Sequence, residues 1–169
     1  MHAFTVIVSG AEEKAPVGCD PQTTAIVIAA QKARAVAADN PDAIVIGADT
    51  AVWLDGEMLG KPADKEDAVA MLTSLGGRSH FVTTGVAVAC GSRIFCGAET
   101  STVTFLPWSK QDAQGYVDRC DPTDKAGAYG IQDFNNGQVR CEGDYDNVVG
   151  LPYNLTLRLI ALAEETNDL

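Results

Sequence analysis

Residues 43–48 read Ala-Ile-Val-Ile-Gly-Ala, an unbroken apolar run with Asn40-Pro41 in front and Asp49-Thr50 behind. The run is short and β-branched, so it predicts a strand rather than a buried helix. Without polar alternation, such a strand is expected to be covered on both faces, in the middle of a sheet with helices packed on it. The flanking sequence supplies those helices. Pro21 can open one, and residues 22–38 are alanine-rich with helical spacing. Asp64 is a candidate N-cap with Asp67 three residues on. Ala68, Met71, Leu72 and Leu75 then mark one helical face, which Gly76-Gly77 ends. Ser109-x-x-Asp112 resembles a capping box before a short helix to Arg119. Gly150-Leu151-Pro152 opens a last helix, with Leu151, Leu155, Leu159 and Leu162 on one side.

Further strands are expected at residues 4–8, 51–54, 79–89, 93–106 and 138–141, with turns at Asp55-Gly56 and residues 90–92. Residues 9–20 and 121–136 read as loops. Helices and strands interleave, which predicts an α/β chain with a mixed twisted sheet flanked by helices. No repeat or linker breaks residues 1–169, so a single domain is expected.

Composition narrows the function. A net charge of −11 argues against a nucleic-acid surface, which needs a basic face. It leaves room for a local positive pocket made by a few lysines. No apolar run reaches the roughly 20 residues that span a bilayer. The start, Met1-His2-Ala3-Phe4, lacks the pattern of a signal peptide. The cysteines, at 19, 90, 96, 120 and 141, are odd in number and have no C-x-x-C spacing. They predict reduced thiols in a cytoplasmic protein and no zinc site. His2 and His80 are far apart, so a metal here would be a hard cation on oxygen ligands.

Four glycine-flanked polar clusters are the candidate chemistry: residues 47–50, 60–62, 124–132 and 142–150. Ligands of α/β sheets bind beyond the carboxyl ends of strands, where Asp49 is expected to lie. Taken singly, each cluster has a plain structural reading. Asp49 is a turn or cap residue, and Lys61 a solvated surface lysine. Lys125 beside Asp124 is a surface ion pair worth little. Tyr129 and Tyr145 are core aromatics, the glycines serve tight turns, and Lys32 snorkels from a helix. Their joint occurrence points instead to a site.

Six stretches carry a family resemblance: "QKARAVA" at 31–37, "VIGADTAV" at 45–52, "LDGEMLGKP" at 54–62, "AVAMLTSLGGRSHFVTTGVAV" at 68–88, "DKAGAYGIQ" at 124–132 and "EGDYDNVVGLP" at 142–152. In this order and approximate spacing they resemble the Maf family of nucleoside triphosphate pyrophosphatases. The resemblance implies a Maf/inosine-triphosphate-pyrophosphatase-like fold, and hydrolysis of a nucleoside triphosphate between its α and β phosphates. It implies that Asp49 accepts the proton of the attacking water and binds a metal. It assigns Lys32, Lys61 and Lys125 to substrate binding, and Glu12 or Glu13 to a Mg²⁺ or Mn²⁺ ion. It also implies a homodimer. The stretch at 124–132 looks like the branch acting on dTTP and UTP, with Thr50 and Gln132 as specificity positions. An amide such as Gln132 can both donate to and accept from a uracil edge. Asp133 stands where the family more often has glycine.

The family's N-terminal Ser-x-Ser-Pro-Arg-Arg block is missing from this sequence, and "FTVIVSG" matches the strand that follows it. The expectation is an N-terminally shortened chain, through a misassigned start or as a genuine short product. That raises a second functional expectation, a weakly active or non-catalytic nucleotide-binding or regulatory protein. A third is a phosphatase with Asp49 as nucleophile. It is disfavoured, because Ala51 stands where a D-x-D motif needs its second aspartate.

Overall fold

The computed structural model describes residues 4–15, 17–134 and 137–167. Its elements are α1 (Pro21–Asp39), β1 (Ile44–Leu54), β2 (Glu57–Leu59), α2 (Lys65–Leu75), β3 (Ser79–Cys90), β4 (Arg93–Phe105), α3 (Lys110–Cys120), β5 (Val139–Glu142), α4 (Tyr145–Val149) and α5 (Tyr153–Asn167). The strands form one sheet in the order β2-β1-β3-β4-β5. The β1–β2 and β4–β5 ladders are antiparallel, with Val52 opposite Leu59 and Val103 opposite Cys141. The α/β class with a helix-flanked sheet, expected from the sequence, is the observed one.

The chain divides into two compact units, and β1, β3 and β4 contribute residues to both. The first unit takes the described residues of Met1–Asp49, Gly85–Ala98 and Tyr153–Leu169. Within it, Asp20 caps α1 by accepting from the N–H groups of Gln22 and Thr23, both at 3.0 Å. Ala25, Ala29 and Ala33 follow at four-residue spacing, one stripe down a helix, and all three are buried. Glycine on the sheet meets this stripe. A Cβ on Gly47 would lie 2.5 Å from the Ala29 carbonyl oxygen, and one on Gly85 would lie 2.3 Å from the Ala25 carbonyl carbon. The helix backbone therefore rests directly on the sheet. On α5, Leu155, Leu159 and Ala163 pack with Val86 and Val88.

The second unit takes Thr50–Thr84 and Glu99–Pro152. Asp55 and Gly56 both have positive φ (53° and 86°), the geometry of a two-residue hairpin turn. Asp64 caps α2 through the Asp67 N–H at 2.8 Å, and Ser109 with Asp112 forms a full capping box on α3. The core gathers Val52, Leu72, Leu75, Val103, Phe105, Tyr116 and Val117. Each such side chain contributes about 1.5–3 kcal/mol by leaving water.

His80 is buried in this second core, 5.7 Å from the Phe105 ring and 5.5 Å from that of Tyr129. Its Nε2 shares a 2.8 Å hydrogen bond with the Tyr129 hydroxyl, and Nδ1 has no hydrogen-bond partner among the described residues. Burial lowers the imidazole to about 4. In the unfolded chain it titrates near 6.5, so between these values the unfolded state binds the extra proton. Stability should therefore fall as the pH drops from about 6.5 to about 4, by about 3 kcal/mol from this residue. Urea titrations across that window should show a shallower slope for His80→Gln than for the wild type.

Several expectations are corrected. Residues 4–8 form no strand. Phe4, Val6 and Val8 are 87%, 82% and 92% exposed, and extended chain without a ladder partner has nothing to hold it as β-structure. The polar pair Asp49-Thr50 does not end a strand, because β1 runs unbroken from Ile44 to Leu54. Threonine is at home in a strand, and the hydroxyls of Thr50 and Thr84 bond at 2.8 Å. Ile44 and Ile46 are exposed, so the apolar run is covered on one face and not on both. The last helix starts at Tyr153, with Leu151 outside it. Its buried stripe is Leu155, Leu159 and Ala163, while Leu162 is exposed. Tyr145 is also exposed, whereas Tyr129 is a core residue. Loop 121–136 holds three 3₁₀ turns, at Pro122–Asp124, Ala126–Ala128 and Ile131–Asp133. Pro16 and residues 135–136 of the expected loops, with His2, lie outside the described residues. No helix among the described residues is long and apolar enough to cross a membrane.

Candidate active site

In the first unit, the close contact of α1 with β1 brings Lys32 to Asp49. Lys32 precedes Ala33 on the helix, and Asp49 lies two residues past Gly47, so both side chains leave the backbone next to the contact. The Lys32 Nζ donates to Asp49 Oδ1 at 2.7 Å. A second carboxylate, Glu13, lies 3.3 Å from the same ammonium. The Lys32 and Asp49 side chains are only 23% and 15% exposed. Burial pulls the Lys32 pKa down, but the hydrogen bond and charge of Asp49, with help from Glu13, overcome it and the net shift is upward. Lys32 is therefore a permanent cation between two carboxylates.

Glu12 does not join this cluster. It pairs with Lys14 at 3.0 Å, and both side chains are exposed. The loop carrying these residues is tied to α1 by a reciprocal pair of bonds. The Lys14 N–H donates to Gln31 Oε1 at 2.9 Å, and Gln31 Nε2 donates to the Lys14 carbonyl at 3.0 Å. Gln31 thus sets the path of the chain next to Glu13.

In the second unit, the Gly60 carbonyl accepts from the Gly127 N–H at 3.1 Å, joining the hairpin that bears Lys61 to loop 124–133. Lys125 Nζ donates to Asp124 Oδ1 at 2.7 Å. That bond holds Asp124 below the usual carboxylate range, and the charge of Lys61 adds to the effect. Gln132 is exposed and occupies the last 3₁₀ turn. Lys125 and Gln132 come together over the buried Gly130. A Cβ on Gly130 would lie 3.4 Å from Lys125 Cε and 3.5 Å from Gln132 Oε1.

Thr50 begins a buried relay that sequence reasoning missed. The Thr84 hydroxyl donates to the Asn147 carbonyl at 2.7 Å. A hydroxyl has one proton, so in the 2.8 Å Thr50–Thr84 bond the donor must be Thr50. Asn147 is fully buried. Its Oδ1 accepts from the Thr84 N–H at 2.9 Å, and its Nδ2 donates to the Val82 carbonyl at 3.0 Å and to Ser101 Oγ at 2.9 Å. An asparagine beside the apolar pair Val148-Val149 was the available signal. Tyr116 and His80 gave none beyond being aromatic.

In the second unit, Lys61 and Lys125 with the Asp124 carboxylate and the Gln132 amide make a donor set that suits a polyanionic organic ligand. The family model described as "Maf-like protein" matches residues 1–163, and the chain belongs to that family. A dTTP/UTP pyrophosphatase of Bacillus velezensis is 47% identical over 93% of this chain and 84% of its own length. One from Symbiobacterium thermophilum is 46% identical over 93% of this chain and 81% of its own length. One from Pyrococcus furiosus is 44% identical over 86% of this chain and 77% of its own length.

Proposed function

We infer that this chain is a hydrolase that cleaves dTTP and UTP to the nucleoside monophosphate and pyrophosphate. The observation that carries the reading is its likeness, over most of its length, to proteins bearing that activity in their names. Water attacks the α-phosphorus, the bond from that phosphorus to the bridging oxygen breaks, and pyrophosphate leaves. Asp49 takes the proton from the water, in keeping with its carboxylate lying largely out of solvent. Lys32 neutralises charge on the phosphate oxygens, and its raised pKa keeps it cationic through the neutral range. Lys61 and Lys125 hold the rest of the triphosphate. Gln132 and Thr50 read the pyrimidine.

The donor chemistry fits a hard divalent cation, since Asp49 and Glu13 already converge on one positive charge. Among the described residues no three His, Cys, Asp or Glu side chains form a metal cluster, so waters and phosphate oxygens would complete the shell. Asp49 and Glu13 would hold Mg²⁺ or Mn²⁺, which supplies Lewis acidity toward water and phosphate when bound. In the same reading the enzyme works in the cytoplasm as a homodimer. Five cysteines without paired spacing suit that reducing compartment.

The test is pyrophosphate release from dTTP, UTP, CTP and 7-methyl-GTP with Mg²⁺ or Mn²⁺. Turnover of dTTP and UTP is expected. A folded protein that binds dTTP but releases no pyrophosphate from any of the four would overturn the reading.

A further inference from the structure

We propose that Tyr116 and Asp133 are positioning residues that set base discrimination, by clasping the turn that carries Gln132. The role rests on the functional reading above and adds to it two side chains and a way to distinguish uracil from cytosine.

Tyr116 lies on α3 and is 1% exposed. Its hydroxyl accepts from the Gly130 N–H at 3.0 Å and donates to Asp133 Oδ2 at 2.6 Å. One phenol therefore holds the first and last residues of a four-residue turn. The Asp133 N–H closes the same turn on the Gly130 carbonyl at 3.0 Å. Gln132 lies inside it. The phenol is itself fixed, because its ring stacks on Phe134 at 5.0 Å and 18° and tilts against Trp108 at 5.6 Å. Asp133 thus has a structural use in this turn. Its Oδ2 lies 3.2 Å from where a Gly130 Cβ would be, beside Gln132 Oε1 and the Lys125 stem.

The chemistry turns on amide orientation. Uracil and thymine offer an N–H donor beside carbonyl acceptors, while cytosine offers an amine beside an acceptor nitrogen. A glutamine amide can satisfy either edge by rotating half a turn, which exchanges its donor and acceptor. It discriminates only where the turn sets it at one distance and angle to the base, so that one of its two orientations makes the better contact. A loose 130–133 turn would leave binding largely intact and erase the choice of base.

The experiment measures kcat and KM on UTP, dTTP and CTP for wild type, Tyr116→Phe, Asp133→Asn and Asp133→Ala. In Tyr116→Phe the preference for UTP over CTP should fall about tenfold in kcat/KM, the scale of one hydrogen bond. The fall should come through KM, with kcat on UTP within about twofold of wild type. Asp133→Asn, whose amide oxygen still accepts the phenol proton, should keep the preference, and Asp133→Ala should lose it. The Asp133 side chain is at the surface, so that pair tests the idea even if Tyr116→Phe folds poorly. An unchanged preference in Asp133→Ala and Tyr116→Phe, or an equal loss on all three nucleotides, overturns the role. Wild-type protein inert toward all three overturns the functional reading, and the role with it, before any variant is compared.

Discussion

The Asp49→Asn protein should release pyrophosphate from dTTP about 10³-fold more slowly than wild type while keeping its fold. The substitution preserves shape and still offers an oxygen to Lys32 at the 2.7 Å position. What it removes is a group able to take a proton, together with one of the two negative charges on the Lys32 ammonium. The remaining Glu13, 3.3 Å away, keeps Lys32 paired, so stability should change far less than activity. Steady-state rates with far-ultraviolet circular dichroism on both proteins decide the matter. A variant within tenfold of wild type would show that the water gives its proton elsewhere.

The second large effect is structural. Gly85→Ala should lower the free energy of unfolding by about 3 kcal/mol or more. The added methyl would lie 2.3 Å from the Ala25 carbonyl carbon and 2.5 Å from the Ile26 nitrogen, both backbone atoms of α1 that no rotamer change can move away. The helix would have to lift off the strand, carrying Lys32 with it, so activity should fall along with stability. Gly115→Ala is the matched control. It lies on the exposed side of α3 with nothing within 4 Å of its added methyl, and should gain about 0.5–1 kcal/mol. Urea denaturation of the two variants should move the midpoint in opposite directions. A Gly85→Ala midpoint equal to wild type would mean that the α1 contact is slack.

Local signals were read correctly where the physics is local. The caps at Asp64 and Ser109, the Asp55-Gly56 turn and the stop at Gly76 each depend on a few neighbouring residues. Errors arose where distant residues decide. Residues 4–8 have every intrinsic preference of a strand, yet β-structure needs a second strand, and that is not written in the segment itself. Ile44 and Ile46 read as buried because hydrophobicity marks what can be covered and not what is. For the site, resemblance named Lys32 and Asp49 as separate functional residues but not their pairing, whose cause, two glycines under an alanine stripe, could not be seen in either residue. Glu12 and Glu13 were indistinguishable in sequence. The Gln31–Lys14 bonds separate them by fixing the path of the loop. Asn147 and Tyr116 were invisible as connectors, because a hydrogen bond across 63 or 14 residues leaves no local trace.

The relay behind Thr50 has a meaning for anyone designing an analogue. Because Thr84 hands its only proton to Asn147, Thr50 must hand its own to Thr84. What Thr50 offers outward is acceptor capacity, its oxygen lone pairs, and no proton. A compound presenting an amine or imide hydrogen there would find a ready acceptor. One presenting a carbonyl or ether would meet oxygen against oxygen, and the hydroxyl could not turn to oblige it without giving up its bond to Thr84. The polarity of that contact is decided three residues deep, out of reach of the ligand.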